Sequence, residues 1–255
     1  MDSLLVVKNV EKTYGKGTNR FKALENISFT IDYGEFVGVM GPSGSGKSTL
    51  LNVLATIDSP TQGDIYIEND NIAKMKEEKL ADFRRNHLGF IFQDYNLLDS
   101  LTVRENILLS LAIAKKSVVE MQKRVETIAA SFGIASLLDK YPYQISGGQK
   151  QRTAACRALI SDPKLIFADE PTGALDSKSA TDLLESMSML NESHETTIMM
   201  VTHDAFAASF CRRIVFIKDG QISDEILRRG QSRKQFFQMI LDKLADIGGE
   251  PDDVI

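Results

Sequence analysis

The fold is decided by the stretch Gly41-Pro42-Ser43-Gly44-Ser45-Gly46-Lys47-Ser48, which satisfies the pattern G-x-x-x-x-G-K-[ST]. A short apolar run, Phe36 to Met40, precedes it, and a helical stretch containing Leu50, Leu51 and Leu54 follows it. Strand, glycine-rich loop and helix in this order are the context that a phosphate-binding loop requires. The stretch therefore predicts an α/β fold with a phosphate site rather than a plain glycine-rich turn.

Each part of the loop has a predicted role toward a bound triphosphate. Glycines let successive N–H groups curl around phosphate oxygens, and the N-terminus of the following helix adds positive potential. Lys47 is expected to reach the outer phosphates and Ser48 to bind Mg²⁺. The predicted nucleotide-binding residues of this segment are Gly41, Pro42, Ser43, Gly44, Ser45, Gly46, Lys47, Ser48 and Thr49.

Composition limits the other possibilities. The 255 residues are 43% apolar, enough for a real core, and 35 acidic residues outnumber 30 basic ones, which argues against a nucleic-acid partner. Cys156 and Cys211 stand alone, so neither a disulfide framework nor a zinc site is predicted, and two reduced buried thiols are expected. No apolar run approaches the roughly 18 residues of a spanning helix, and the N-terminus lacks a signal-peptide pattern. We expect a cytoplasmic chain whose membrane role, if any, requires a partner.

Strands are predicted on both sides of a helical middle third. Alternation over Ala23 to Ile31 indicates a half-exposed strand closed by the Asp32-Tyr33-Gly34 turn. The middle third, from about residue 93 to 160, is helical, with Thr102 and Glu105 spaced as a capping box, the same spacing at Ser117 and Glu120, and a stop at Gly133. Further strands are predicted at Leu4 to Val7, Ile65 to Ile67, Leu165 to Ala168, Ile198 to Val201, and Ile214 to Ile217 before the Asp219-Gly220 turn.

Two carboxylates follow one of the buried strands. Asp169 and Glu170 come directly after the apolar run that starts at Leu165, at the edge where open α/β sheets bind ligands. Alone, such a pair is usually a solvated strand end. Beside a phosphate-binding loop we expect Asp169 to hold Mg²⁺ through water and Glu170 to act as general base on the attacking water.

A second anion site is indicated by Ser146-Gly147-Gly148-Gln149, which opens the helix that continues to Ile160. Ser146 is placed to cap this helix, and a free N-terminus flanked by two glycines binds anions. Ordinary capping is the alternative, and the stretch is distant in sequence from the first phosphate loop.

Together these motifs resemble the ABC transporter ATPases, with the P-loop at Gly41 to Thr49 and the signature motif at Ser146 to Gln149. The resemblance covers most of the chain. It implies a RecA-like P-loop NTPase core with an antiparallel β subdomain at 1–92 and 161–225, an inserted helical subdomain at 93–160, and a C-terminal helical extension at 226–255. The tail around Phe236, Phe237, Ile240, Leu241 and Leu244 is amphipathic, and either packs on a partner or covers its own core.

The resemblance also implies roles for residues that would otherwise be unremarkable. Gln93 is the Q-loop residue, which contacts Mg²⁺ or the water and reports the nucleotide state to the membrane subunit. Asp176 belongs to the D-loop, His203 is the switch histidine that contacts the γ-phosphate, and Tyr14 stacks on adenine. Without the resemblance, Gln93 would be a polar loop residue, His203 a structural histidine and Tyr14 a packing residue.

In this family two cassettes meet head to tail, so that Ser146, Gly147 and Gly148 of one copy cover the ATP of the other. The resemblance therefore implies ATP and Mg²⁺ as cofactors, and a second copy and a membrane permease as partners. Motif details are most similar to the branch serving MacB-like and LolD-like permeases, and above all to Bce-type subunits of antimicrobial-peptide resistance systems. That likeness also implies a sensor histidine kinase as a further partner, reached through the permease. It implies that the subunit lies on the inner face of the membrane.

Other uses of this ATPase core compete with transport. Chromosome-maintenance members need a long coiled coil, excision-repair members need zinc cysteines, and translation factors need two cassettes, and this sequence has none of these. A soluble cassette serving an assembly scaffold, such as that for iron–sulfur clusters, stays open, as do the lipoprotein-release and macrolide-efflux types. The substrate itself leaves no imprint on the sequence.

Overall fold

The computed structural model describes residues 3–248, apart from the side chains of residues 18, 194 and 248. Ten β-strands and eight α-helices lie within these residues, and short 3₁₀ turns connect some of them. They are β1 (Ser3–Tyr14), β2 (Phe21–Asp32), β3 (Phe36–Met40), α1 (Lys47–Leu54), β4 (Gln62–Ile67), β5 (Asp70–Asn71), α2 (Glu77–His87), β6 (Leu88–Ile91), α3 (Val103–Ile113), α4 (Val118–Ser131), α5 (Gly147–Leu159), β7 (Leu165–Asp169), α6 (Ser177–His194), β8 (Thr197–Val201), α7 (Ala205–Ala208), β9 (Arg213–Lys218), β10 (Gln221–Leu227) and α8 (Arg233–Gly248).

The chain forms two compact units. One comprises the described parts of residues 1–75 and 200–255, and the other comprises residues 76–199. The predicted division into a core, a helical subdomain at 93–160 and an extension stays a prediction. Within 93–160, however, all the regular elements of the described structure are helices, as the sequence indicates.

The first unit contains an antiparallel sheet of strand order β2-β1-β4-β5. Strand β2 buries Leu24, Ile27, Phe29 and Ile31, which confirms the half-exposed strand, but the alternation slips by one residue at Asn26. Asn26 has a φ of 50°, and such an irregularity lets Leu24 and Ile27 point to the same face although three positions separate them. The pairing of β1 with β2 is accordingly shifted at several points.

The phosphate-loop segment in this unit grows out of a fully buried strand. All five residues of β3 are buried, and β3 pairs in parallel with β9, which turns into β10 through the predicted Asp219-Gly220 hairpin. A strand covered on both faces requires a continuous apolar run, and for this reason the sequence predicts a strand at Phe36 to Met40. The Thr202 N–H donates to the Val39 carbonyl at 3.1 Å, so the end of β8 lies beside the end of β3.

The second unit pairs β6 with β7 in parallel, from Leu88 opposite Leu165 to Ile91 opposite Ala168. The first four residues of β7 are at most 1% exposed, and helix α5 packs against β6 and α3. The capping box at Thr102 is confirmed, because Thr102 Oγ1 accepts from the Glu105 N–H and the Glu105 carboxylate accepts from the Thr102 N–H. Helix α3 therefore begins at the residue that its capping box predicts.

Helix α8 covers its own unit, as the plainer of the two sequence interpretations predicts. Phe236 and Ile240 are completely buried, and the Arg233 guanidinium lies 4.2 Å from the centre of the Phe210 ring. The last residues of the predicted extension, 249–255, lie outside the described residues. Within residues 3–248 no helix is both long and apolar enough to cross a membrane.

Candidate functional site

The Gly41–Ser48 loop depends on glycine at two points where the chain cannot carry a side chain. Gly41 has a φ of 156°, and a Cβ there would lie 2.0 Å from the Ile217 carbonyl oxygen. Gly46 has a φ of 104°, and a Cβ there would lie 2.6 Å from the Ala23 carbonyl oxygen. Larger residues at either point would clash with backbone atoms and strain the loop. The glycines of the motif therefore fix the path of a loop that exposes its N–H groups.

Lys47 is the first residue of α1, and its ammonium folds back over the loop. The Lys47 Nζ donates to the carbonyl oxygens of Gly41 and Pro42, both at 2.8 Å. The Ser45 Oγ is buried and finds no hydrogen-bond partner among the described residues. An ammonium, a helix N-terminus and a buried hydroxyl around one glycine loop fit a polyanion such as a triphosphate.

Tyr14 stands in the same unit and belongs to a polar cluster. Its Oη donates to Asp58 Oδ2 at 2.8 Å, and the Lys12 Nζ donates to Asp58 Oδ1 at 2.6 Å. Burial, the hydrogen bond to Asp58 and the Asp58 charge raise the pKa of Tyr14, against a weaker opposing effect of a hydrogen bond with the Thr49 side chain.

His203 follows β8 and is exposed. Its neighbours hold the turn: the Asp204 carboxylate accepts from the Phe206 N–H at 2.8 Å, and the Thr202 Oγ1 accepts from the Asp204 N–H at 3.1 Å. Because the ends of β3 and β8 lie side by side, His203 and the phosphate loop leave the same edge of the first unit.

In the second unit Asp169 is the last residue of β7, and Glu170 begins the turn after it. Glu170 has a φ of 44°, an uncommon value for a residue with a side chain, and its carbonyl accepts from the Gly173 N–H at 3.0 Å. Strained backbone of this kind clusters at active sites. No group of three or more His, Cys, Asp or Glu side chains that could hold a metal occurs in residues 3–248.

The Gln93 side chain lies against the turn that follows Glu170. A Cβ at Gly173 would lie 3.0 Å from the Gln93 Nε2. Between the two segments, the completely buried Gln151 of α5 donates through its Nε2 to the Phe92 carbonyl at 3.1 Å and the Pro171 carbonyl at 2.8 Å. Phe92 precedes Gln93 and Pro171 follows Glu170, so one amide holds both predicted catalytic segments.

The signature segment starts α5 as predicted. Ser146 Oγ accepts from the Gln149 N–H, and the Gln149 side chain accepts from the Ser146 N–H at 2.9 Å. Gly148 packs so closely on α6 that a Cβ would lie 2.5 Å from the Ser179 Oγ, which donates to Asp176 Oδ2 at 2.7 Å. Hydrogen bonds from Ser179 lower the pKa of Asp176. The close packing of Gly148 on Ser179 thus holds the Asp176 carboxylate near the start of α5.

The predicted residues therefore form two sets. The first unit gathers Tyr14, the loop from Gly41 to Thr49, and His203, and the second gathers Gln93, Ser146 to Gln149, Asp169, Glu170 and Asp176. Sequence reasoning missed Lys12, Asp58 and Gln151 as parts of these sets. A glutamine among the buried positions of a helix is the signal that could have found Gln151, whereas Lys12 and Asp58 are brought together only by the fold.

A cleft of about 500 Å³ lies in the second unit beside the Gln93 segment. Phe92 and Asn96 line it, and three arginines border it together with apolar side chains of α3. The arginines are Arg84, Arg85 and Arg157. Arg84 pairs with Glu77 at 2.7 Å and Arg85 with Asp82 at 3.3 Å, and both arginines form part of the rim of this partly apolar groove.

Comparison with known proteins explains why these motifs occur together. A family model described as "ABC transporter" matches residues 24–173, more than half of the chain. The chain belongs to this family. It is an ATP-binding, ATP-hydrolysing subunit of an ABC transporter, and its α/β architecture is that of the ABC ATPases, as the sequence predicts.

Individual ABC proteins match over nearly the whole length. The ATP-binding protein YxdL of Bacillus subtilis is 51% identical over 100% of this chain and 98% of its own length. The bacitracin export ATP-binding protein BceA of Halalkalibacterium halodurans is 51% identical over 98% of this chain and 99% of its own. The structure of MJ0796, described as a dimeric post-hydrolysis state bound to ADP and Pi, superimposes with a TM-score of 0.81, 42% identity and coverage of 89% of this chain and 99% of that one. The predicted likeness to Bce-type subunits is confirmed.

Proposed function

We propose that two copies of this subunit bind Mg-ATP between them and power a membrane permease in resistance to antimicrobial peptides of the bacitracin kind. The observation that carries the proposal is the signature segment. Its capping box and the fit of Gly148 against Ser179 hold Ser146 and Gly147 at the start of α5, while the other anion loop belongs to the other unit. A second anion site of this kind suits the nucleotide of a second copy.

Within one copy each residue has a distinct task. The loop N–H groups and Lys47 bind the phosphates, and the Tyr14 ring stacks on the base. Ser48, Gln93 and Asp169 are the side chains suited to hold Mg²⁺, which when bound offsets phosphate charge, and oxygen donors of these kinds are its usual ligands.

Hydrolysis requires a base and a contact to the terminal phosphate. Glu170 accepts the proton of the attacking water, and Gln93 orients that water. His203 donates to the γ-phosphate. Asp176, fixed by Ser179, lies at the start of α6 and contacts the second copy.

Dimerisation follows from the chemistry of the shared nucleotide. The phosphate charge is divided between the loop of one copy and the signature segment of the other, so ATP stabilises the interface and its cleavage weakens it. The dimer described for MJ0796, bound to ADP and Pi, supports this arrangement.

The proposed substrate class rests on the relative BceA, which is named for bacitracin export. Permease contact is proposed at the cleft beside Gln93, because its apolar floor and arginine rim suit an amphipathic segment that carries acidic residues. A subunit working on such a permease lies on the inner face of the membrane. The sensor histidine kinase stays an expectation from the resemblance.

Substitution of Glu170 tests the hydrolytic part. In Glu170→Gln we expect phosphate release to fall by about 100-fold or more, since a positioned base contributes on that scale. ATP binding should persist, and a nucleotide-bound dimer should accumulate in size-exclusion chromatography with Mg-ATP. Lys47→Ala should lose ATP binding, and Glu185→Gln, an exposed glutamate of α6, is the matched control. Unchanged turnover in Glu170→Gln would remove the base assignment.

Substitution of Arg85 tests the permease contact. In Arg85→Glu we expect loss of co-purification with the permease and of permease-stimulated hydrolysis, while ATP binding by the isolated subunit is unchanged. Arg20→Glu, another exposed arginine, is the control. Full permease stimulation in Arg85→Glu would exclude this groove.

A further inference from the structure

Lys12 is a buried lysine in the first unit, only 9% exposed. Lysines are almost never buried unless they are paired, and this one is paired three times. Its Nζ donates to Asp58 Oδ1 at 2.6 Å and to the Ser59 carbonyl at 2.7 Å, and it lies 4.8 Å from the centre of the Tyr14 ring. The ammonium therefore sits over one face of Tyr14 in a cation–π contact.

Asp58 holds the other end of the same ring. Its Oδ2 accepts from the Tyr14 Oη at 2.8 Å, while its N–H donates to the Asn52 carbonyl at 3.0 Å. Asn52 belongs to α1, the helix that starts at Lys47. Through Asp58, the Tyr14 hydroxyl is thus linked to α1, the helix that follows the phosphate loop.

These contacts leave one way for a flat ligand to approach. Lys12 covers one face of Tyr14, and the side chain is nevertheless 41% exposed. A base that stacks on Tyr14 must use the face opposite Lys12. A ring held at both its face and its hydroxyl loses less rotamer freedom on binding, which raises affinity.

We propose that Lys12 and Asp58 are positioning residues that hold Tyr14 for the purine base, and so set affinity for the base separately from affinity for the phosphates. This inference rests on the proposed binding of ATP at the Gly41–Thr49 loop. Lys12 and Asp58 touch neither the phosphates nor the reacting atoms in this scheme. They act only through Tyr14.

The test compares a ligand that has a base with one that lacks it. Dissociation constants for Mg-ATP and for Mg-tripolyphosphate are measured by titration calorimetry on the full chain. In Lys12→Met and in Asp58→Asn we expect Mg-ATP to bind about 5- to 30-fold more weakly, the range that a desolvated cation–π contact spans. Binding of Mg-tripolyphosphate should stay within about twofold, because the loop contacts are untouched.

The matched control is Lys22→Met. Lys22 is also paired, with Glu25 at 2.7 Å, but stands on β2 and is 42% exposed. It should bind both ligands as the wild type does. Tyr14→Phe, at an exposed position that tolerates the change, removes the hydroxyl that bonds to Asp58 but keeps the ring, and should weaken binding of Mg-ATP alone.

A double-mutant cycle separates positioning from general stability. In a Tyr14→Ala background the effect of Lys12→Met on Mg-ATP should shrink to about twofold or less, since there is no ring left to position. An equal loss for both ligands, an undiminished effect without Tyr14, or unchanged Mg-ATP binding in Lys12→Met and Tyr14→Phe would each overturn the inference. If the wild type binds neither ligand, the proposed function fails as well, and that result is distinct from the others.

Discussion

The strongest test of how the second unit is built is the replacement of Gln151 by leucine. Gln151 is completely buried in α5, and its side-chain amide makes the bonds to Phe92 and Pro171 that hold the chain beside Gln93 and Glu170. Leucine has a similar size and a high helix propensity, so Gln151→Leu removes the donor and little else.

The expected cost follows from the two lost bonds. Each intramolecular hydrogen bond contributes about 1 kcal/mol net, and a buried carbonyl left without its donor costs about 1 to 3 kcal/mol. That second cost falls on the buried Pro171 carbonyl, since the Phe92 carbonyl keeps the Tyr95 N–H at 3.3 Å. The better packing of leucine against the apolar surroundings offsets a part of this. We expect the free energy of unfolding to fall by about 2 to 4 kcal/mol. Because both bonded carbonyls adjoin predicted catalytic residues, we also expect kcat to fall at least tenfold, with a change in the ATP dissociation constant below about threefold.

Urea unfolding and steady-state hydrolysis measure the two effects, the latter at a temperature where the variant is folded. The control is Gln122→Leu in α4, whose exposed amide donates to Glu126 at 3.2 Å. A surface pair of this kind contributes only about 0.2 to 0.5 kcal/mol. If Gln151→Leu unfolds at the same urea concentration as Gln122→Leu, the buried amide has no stabilising role. If Gln151→Leu unfolds at a lower urea concentration than Gln122→Leu but keeps its kcat, the bonds stabilise the unit without positioning the catalytic segments.

Three further predictions address other parts of the chain. Phe236→Ala should lower the free energy of unfolding by about 3 to 5 kcal/mol, while Leu241→Ala, at a position 38% exposed, should have a much smaller effect, and equal urea midpoints would contradict the packing of α8 on its own unit. Gly148→Ala should destabilise the chain by about 1 to 3 kcal/mol, since the new methyl would overlap Ser179, and a thermal scan matching the wild type would show that α6 yields freely. For Asp58, burial raises the pKa, but hydrogen bonds from Lys12 and Tyr14 outweigh it and leave the pKa below its ordinary value of 3.8. Its stabilising contribution should therefore be complete above that value and be lost as the pH falls through the folded pKa, so the stability difference between wild type and Asp58→Asn should be constant from pH 7 to 5 and shrink below about pH 4.

Those parts of the fold that local chemistry determines were predictable from the sequence. Strand β3 spans Phe36–Met40 as predicted, and α5 begins at Gly147 because Ser146 forms the predicted cap. In both cases residue type dictates geometry directly: a buried parallel strand must be apolar, and a serine followed by glutamine at the third position caps a helix.

Elements that long-range pairing determines were not predictable. Strand β1 was expected to end at Val7 but continues to Tyr14. Asn9, with a φ of 49°, breaks the alternation, and the buried Lys12 looks exposed until its partner Asp58, 46 positions away, is brought beside it. Helix α2 was not predicted at all, because it is mostly polar and buries only Leu80 and Phe83. Such helices are stabilised by packing rather than by their own pattern.

Helix α5 contacts three functional segments of the second unit along its length. Its first turn presents Ser146 and Gly147, its second turn holds both catalytic segments through Gln151, and its last turn carries Arg157, whose guanidinium donates to the carbonyls of Tyr95 and Asn96. Those two residues have φ values of 60° and 50°, so the segment after Gln93 is held in an uncommon conformation by Arg157, a partly buried cation whose pKa burial lowers. A partner that displaces Asn96 from the cleft side must therefore either break the bonds to Arg157 or move α5. Since a helix transmits displacement along its axis with little compression, moving α5 would shift the signature segment and the Gln151 bonds together. In this way α5 links the proposed permease surface to the proposed site of hydrolysis. Its cap was predictable from the sequence, but the contacts of the buried Gln151 and the half-buried Arg157 were not.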